Sequence, residues 1–147
     1  ITKFARLPGL DGKAKMSKSL GNGILLSDSQ DEIKAKMKKA FTDPAKLRKG
    51  DPGNPDICLV YLYHQKFNPE EEPEIREGCQ SGTLGCFDCK MKCADKIADH
   101  FAPVREKRAE LEKDLNKVLE IVEDGETRAR KVAEETMIEV REAMKFG

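Results

Sequence analysis

Lys15-Met16-Ser17-Lys18-Ser19 is the stretch on which the reading of this chain turns, because it lies in a loop and not in a periodic segment. Pro8-Gly9-Leu10-Asp11-Gly12-Lys13-Ala14 precedes it and Leu20-Gly21-Asn22-Gly23 follows, so glycines on both sides let it swing. Two ammonium groups and two hydroxyls in so short a span suit a clamp on a polyphosphate. They place positive charge where negative charge grows as pyrophosphate leaves. On physics alone a basic, glycine-flanked loop is more often a solvated linker than a clamp.

Outward from the loop, charge is unevenly spread. Residues 1–50 carry 12 Lys+Arg against 5 Asp+Glu and residues 51–147 carry 15 against 22, so a net charge of zero hides two halves of opposite sign. The basic half suits a partner made of phosphates. The acidic half excludes a nonspecific nucleic-acid grip over the whole surface, so any such contact should be local. At 147 residues the chain can form one core, or one domain with an appendage. It does not begin with methionine, and no strand–loop–helix unit precedes the loop, so it is expected to be the C-terminal part of a longer protein. No stretch reads as a signal peptide or as an apolar run of about 18 residues, and no membrane partner is expected.

Residues 1–26 are expected to be loop with little regular structure. Ser29 with Glu32 fits a capping box, and Ile33, Met37, Ala40 and Phe41 recur at helical spacing before Thr42-Asp43-Pro44 ends the helix. Lys49-Gly50-Asp51-Pro52-Gly53-Asn54-Pro55 reads as a turn-rich linker and gives the expected boundary between domains 1–50 and 51–147. Beyond it the pattern predicts only helices: an apolar one over Cys58–Phe67, an acidic one from Glu70 to about Gly78, and a long one after the Gly82–Gly85 turn. That long helix carries Ile97, Phe101, Val104, Arg108, Leu111 and Leu115 on one face, with Pro103 as a kink or break. Leu115–Val122 is a further segment that Asp124-Gly125 should close, and a last helix over Glu126–Lys145 presents Ala133, Met137, Val140 and Met144 for core or dimer packing. The expected fold class is all-α.

All five cysteines fall in one segment, spaced Cys58-x20-Cys79-x6-Cys86-x2-Cys89-x3-Cys93. Disulfides fit poorly with an odd count and no secretory signal, and plain buried thiols suit Cys58 better than the Cys-x2-Cys pair. Four thiolates suit tetrahedral Zn2+ or an iron–sulfur cluster, and spacing does not choose between them; Gly78, Gly82 and Gly85 leave room that slightly favours the larger group. Cys93 lies one turn after Cys89 and remains a possible ligand. His64 and His100 read as packed or surface imidazoles. Lys90, Lys92, Arg105, Lys107 and Arg108 are candidates for RNA-backbone contact, or a solvated helix face. Tyr61, Tyr63 and Phe87 are expected to pack in the core, with base stacking as the alternative.

The loop at 15–19, then Ala40-Phe41-Thr42-Asp43-Pro44, Asp51-Pro52-Gly53-Asn54-Pro55, Glu77-Gly78-Cys79, Gly85-Cys86-Phe87-Asp88-Cys89-Lys90 and Ala102-Pro103-Val104-Arg105-Glu106-Lys107-Arg108 together resemble the class I aminoacyl-tRNA synthetases. The loop resembles their KMSKS signature, and the whole is similar to the bacterial tryptophanyl-tRNA synthetases that carry a 4Fe–4S cluster in a helical anticodon-binding domain. The resemblance implies a homodimeric cytoplasmic ligase that activates tryptophan with ATP and Mg2+ and transfers it to its tRNA. It implies that residues 1–50 end the class I nucleotide-binding fold. Lys15 and Lys18 would bind the ATP phosphates, Lys18 would stabilise departing pyrophosphate, Ser17 and Ser19 would donate hydrogen bonds, and the backbone near Met16 would approach adenine. It also implies Cys58, Cys79, Cys86 and Cys89 as ligands, with Cys93 left over. The family's HIGH signature and tryptophan pocket have no counterpart here, so this chain alone should be inactive. A tyrosine-specific relative and a stand-alone cluster-bearing or zinc RNA-binding module are the alternatives.

Overall fold

The computed structural model describes residues 6–145. Five α-helices run in order: α1 Gln30–Lys38, α2 Leu59–Phe67, α3 Glu72–Ser81, α4 Cys86–Leu111 and α5 Leu115–Met144, with a 3-10 turn at Pro55–Ile57 before α2. Among the described residues there is no strand, only an isolated antiparallel bridge between Pro8 and Lys15. The all-α expectation holds for this chain.

The local signals explain where helices begin. Ser29 caps α1 in a reciprocal capping box with Glu32, the Ser29 side chain accepting from the Glu32 amide. Asn54 caps the 3-10 turn by accepting from the Asp56 amide, and Asp114 caps α5 by accepting from the Lys117 amide. The end of α3 is a left-handed Gly82, and a Cβ there would meet the Gly50 carbonyl oxygen at 2.3 Å. The 49–55 segment is therefore no free linker: Gly50 N–H donates to Gly82 O and Gly53 N–H to Cys79 O, laying it against the end of α3.

Two expected breaks are absent. Pro103 lies inside α4, where the Arg105 guanidinium folds back to donate to the Ala98 carbonyl at 2.7 Å in the turn before it. Gly125 lies inside α5, where the i,i+4 pair Arg128–Asp124 spans it and Arg130–Glu126 follows directly after. A single glycine costs a helix only about 1 kcal/mol, which such neighbours offset.

The chain divides into two compact units, one up to Arg105 and one from Glu106. The core belongs to the first: Leu10 from the loop, Ile33, Met37 and Ala40, then Leu59, Val60 and Tyr63, then Cys93, Ala94 and Ile97. Phe41 and Val104, expected on buried faces, are exposed. In the second unit α5 has no buried residue, and Leu119, Ile138 and Val140 are all open to solvent.

Candidate functional site

The chain from Leu7 to Met16 doubles back on itself. Gly9 N–H donates to Ala14 O and Met16 N–H to Leu7 O, on either side of the Pro8–Lys15 bridge. Leu10 is driven into the core at the tip. The following residues are held by Asn22, which is 7% exposed. Its Oδ1 accepts from the Ser17 amide at 2.8 Å, and its Nδ2 donates to Asp11 Oδ2 at 3.1 Å and to Lys15 O at 3.4 Å. Only glycine fits at position 9, since a Cβ there would sit 2.1 Å from Asn22 Nδ2. Asp11 also accepts from the Lys13 and Ala14 amides, and these N–H donors together with Asn22 hold its carboxyl below the usual carboxylate range.

The expected clamp residues thus stand on a pinned loop, not a loose one. Lys15 and Lys18 are exposed, and among the described residues neither has an ion-pair partner. Ser17 Oγ and Ser19 Oγ lie 2.9 Å apart. Two bare ammonium groups beside paired hydroxyls can receive a polyanion without first breaking salt bridges.

The cysteines come from three helices. Cys58 is the residue before α2, Cys79 lies in the last turns of α3, and Cys86 and Cys89 lie in the first turn of α4. Burial raises the Cys58 and Cys79 thiols and pushes Cys89 up to about 12, and the neighbouring cysteines push Cys79 and Cys89 further up. The Asp43 and Val60 amides aim at the Cys58 sulfur and lower its value, as does Lys90. Lys46, 8% exposed, donates to the Cys79 carbonyl at 3.0 Å and lowers the thiols it faces. A Cβ on Gly53 would lie 2.8 Å from Cys79 Sγ.

Among the described residues no group of three or more His, Cys, Asp or Glu side chains is arranged to hold a metal ion. Thiolate–zinc bonds of about 2.3 Å gather four sulfurs around one point, and neutral thiols on three separate helices lack that pull. Neighbouring thiols, amide N–H groups directed at sulfur and a buried lysine form a donor set compatible with a thiolate-ligated group. Cys93 is fully buried in the core.

Other residues depart from their sequence reading. His64 is packed, as expected, but onto the cysteines: its Nε2 lies 3.1 Å from Cys89 O and 3.4 Å from Cys89 Sγ, and Asn68 Nδ2 lies 3.3 Å from Nδ1. His100 is a surface ring edge-on to Phe101. Lys92 pairs with Glu71, Lys107 with Glu110 and Arg108 with Glu112, which removes them from the free basic set. Tyr61 and Tyr63 are buried, while Phe87 is 60% exposed, contrary to core packing. Phe87 instead forms one wall of a cleft of about 410 Å³ with Lys46, Arg48, Lys49 and Cys86. Lys38 Nζ stands 6.0 Å from its ring centre, and Lys90 donates to the Lys38 carbonyl. A basic cleft around an exposed ring was invisible in sequence because its residues come from α1, the 46–49 segment and α4.

Residues 1–102 match the family described as tRNA synthetases class I (W and Y). The chain is 44% identical over 146 residues to the tryptophan–tRNA ligase of Aquifex aeolicus, a match covering 98% of this chain and 37% of that protein. It is 40% identical over 146 residues to the tryptophan–tRNA ligase of Thermotoga maritima, covering 98% and 44%. The structure of tryptophanyl-tRNA synthetase from Campylobacter jejuni, complexed with ADP and tryptophan, matches with a TM-score of 0.83 and 28% identity over 99% of this chain and 45% of that one. The chain therefore spans less than half the length of these relatives. By sequence and by fold it belongs to the class I tRNA synthetases of tryptophan and tyrosine.

Proposed function

We propose that this chain is the C-terminal part of a tryptophan–tRNA ligase, contributing the phosphate-binding loop and the helical tRNA-binding region. Residues 1–50 end the catalytic domain and residues 51–147 form the anticodon-binding domain. The observation that carries this reading is the 15–19 loop, pinned through Asn22 with both lysines exposed and unpaired. In that role Lys15 and Lys18 hold the β- and γ-phosphates of ATP. Lys18 meets the charge that grows on departing pyrophosphate, Ser17 and Ser19 donate to phosphate oxygens, and the Met16 backbone lies toward adenine. Transfer to tRNA, a homodimeric assembly and a cytoplasmic setting follow from the same reading. Among the described residues no helix is long and apolar enough to cross a membrane.

Lys18→Ala in the full-length enzyme is expected to slow tryptophan-dependent ATP–pyrophosphate exchange by about 10²–10³, the size of losing one preorganised donor to a developing charge, with tryptophan binding little changed. A loss of tenfold or less contradicts the assignment of Lys18.

A second part of the reading concerns the thiols and the cleft beside them. Cys58, Cys79, Cys86 and Cys89 would hold a 4Fe–4S cluster, with Cys93 not a ligand. When bound, the group supplies a cross-link among α2, α3 and α4, and no redox chemistry is needed for the ligase. The chain's own residues prepare that place: the Asp43 and Val60 amides face the Cys58 sulfur, Lys46 offsets negative charge, and His64 supports Cys89. Next to it, Phe87 with Lys38, Arg48 and Lys90 offers a stacking surface beside positive charge, with Lys49 paired to Asp88 in the same cleft, a combination suited to unpaired RNA.

A further inference from the structure

Tyr63 is 1% exposed, and its hydroxyl donates to the Pro8 carbonyl at 2.6 Å across 55 residues of sequence. Pro8 is the residue bridged to Lys15. The hydrogen bonds of the pairing are made by its neighbours, Gly9 to Ala14 and Met16 to Leu7. At such a position proline's missing N–H costs nothing, but its carbonyl faces away from the partner strand and needs a donor from elsewhere. The phenol supplies it. Burial keeps the Tyr63 hydroxyl protonated, so the donor is always available. The next residue of the same helix, His64, contacts the Cys89 carbonyl and sulfur, so this turn of α2 is itself fastened to the start of α4.

We propose that Tyr63 is a positioning residue for the lysine-bearing loop: its hydroxyl, fixed on α2, anchors Pro8 and through the Pro8–Lys15 pairing sets where Lys15 and Lys18 stand. The loop's glycines permit many conformations, and the Asn22 bonds, to Ser17, Asp11, Lys15 and Leu10, all lie within the loop. Tyr63 ties the loop's base directly to α2, while the Phe41 amide, donating to the Leu10 carbonyl, and the buried Leu10 side chain hold its tip. Its consequence for catalysis rests on the phosphate-clamp reading, but the tether itself does not.

Tyr63→Phe in the 147-residue chain deletes one oxygen and leaves the ring in place. Residue-resolved hydrogen exchange is expected to quicken about tenfold at the Gly9 and Met16 amides and stay unchanged at Ile97 on α4. Tyr61→Phe is the control, because the Tyr61 hydroxyl accepts from Arg76 and has no reach to the loop; it should leave Gly9 and Met16 as they are. Unchanged exchange at Met16 in Tyr63→Phe overturns the proposal. So does uniform acceleration that includes Ile97, since that marks a general stabiliser and not a tether. Lys18→Ala should leave Met16 exchange untouched, so the tether and the clamp can fail separately. In the full-length enzyme, Tyr63→Phe should lower kcat of pyrophosphate exchange with the tryptophan KM preserved.

Discussion

Glu71 stands where α3 begins and reaches Lys92 and Lys96, one turn apart on α4. These two ammonium groups, Lys92 first, hold its carboxyl at about 2 against an ordinary 4.5. A carboxyl depressed in the folded state adds stability that is complete above its unfolded value and fades as pH falls through its folded value. Thermal melts should therefore show a gap between the native chain and Glu71→Gln that is constant above about pH 4.5 and shrinks toward pH 2. A gap that does not change over that window contradicts the pairing. At this scale sequence says little, because a partner far along the chain leaves no local mark. Lys92 reads as a free cation until Glu71 is seen beside it, His64 as an ordinary packed imidazole until Cys89 is, and Tyr63 as core until Pro8 is. The capping box at Ser29 and Glu32 is legible for the opposite reason, since both of its bonds close within four residues.

Helices α1 to α4 begin close to where capping and turn residues place them, since those rules concern neighbours along the chain. Their ends are less legible. A break at Asp124-Gly125 would follow from glycine's backbone freedom alone, yet α5 runs from Leu115 to Met144. A Cβ built on Gly125 meets nothing within 4 Å, so this glycine serves no close approach. Gly125→Ala should then stabilise α5 by about 0.5–1 kcal/mol, read as a higher midpoint in chemical or thermal unfolding followed by helical circular dichroism. A lower midpoint would show that the position needs glycine after all. The face of α5 was legible as apolar but not as exposed, because periodicity reports a stripe and not what covers it.

Across the first compact unit, the loop and the cysteine-bearing turn are both fastened to α2, by contacts that span 55 and 25 residues of sequence. The family-bearing motifs were fully legible, each being a contiguous string. The basic cleft at Phe87 was not, being assembled from three segments. In protein purified without oxygen, the thiol assignment predicts iron with sulfide and little zinc. Cys58→Ser should lose the iron and loosen the fold, while Cys93→Ser should retain it. Stoichiometric zinc without iron, or iron lost only in Cys93→Ser, would refute that ligand set. Every role proposed for the loop rests on a ligase specific for tryptophan. The most direct test is ATP–pyrophosphate exchange by the full-length enzyme with each amino acid in turn. Exchange that requires tryptophan and is absent with tyrosine is the predicted result; exchange driven by tyrosine, or by neither, contradicts it.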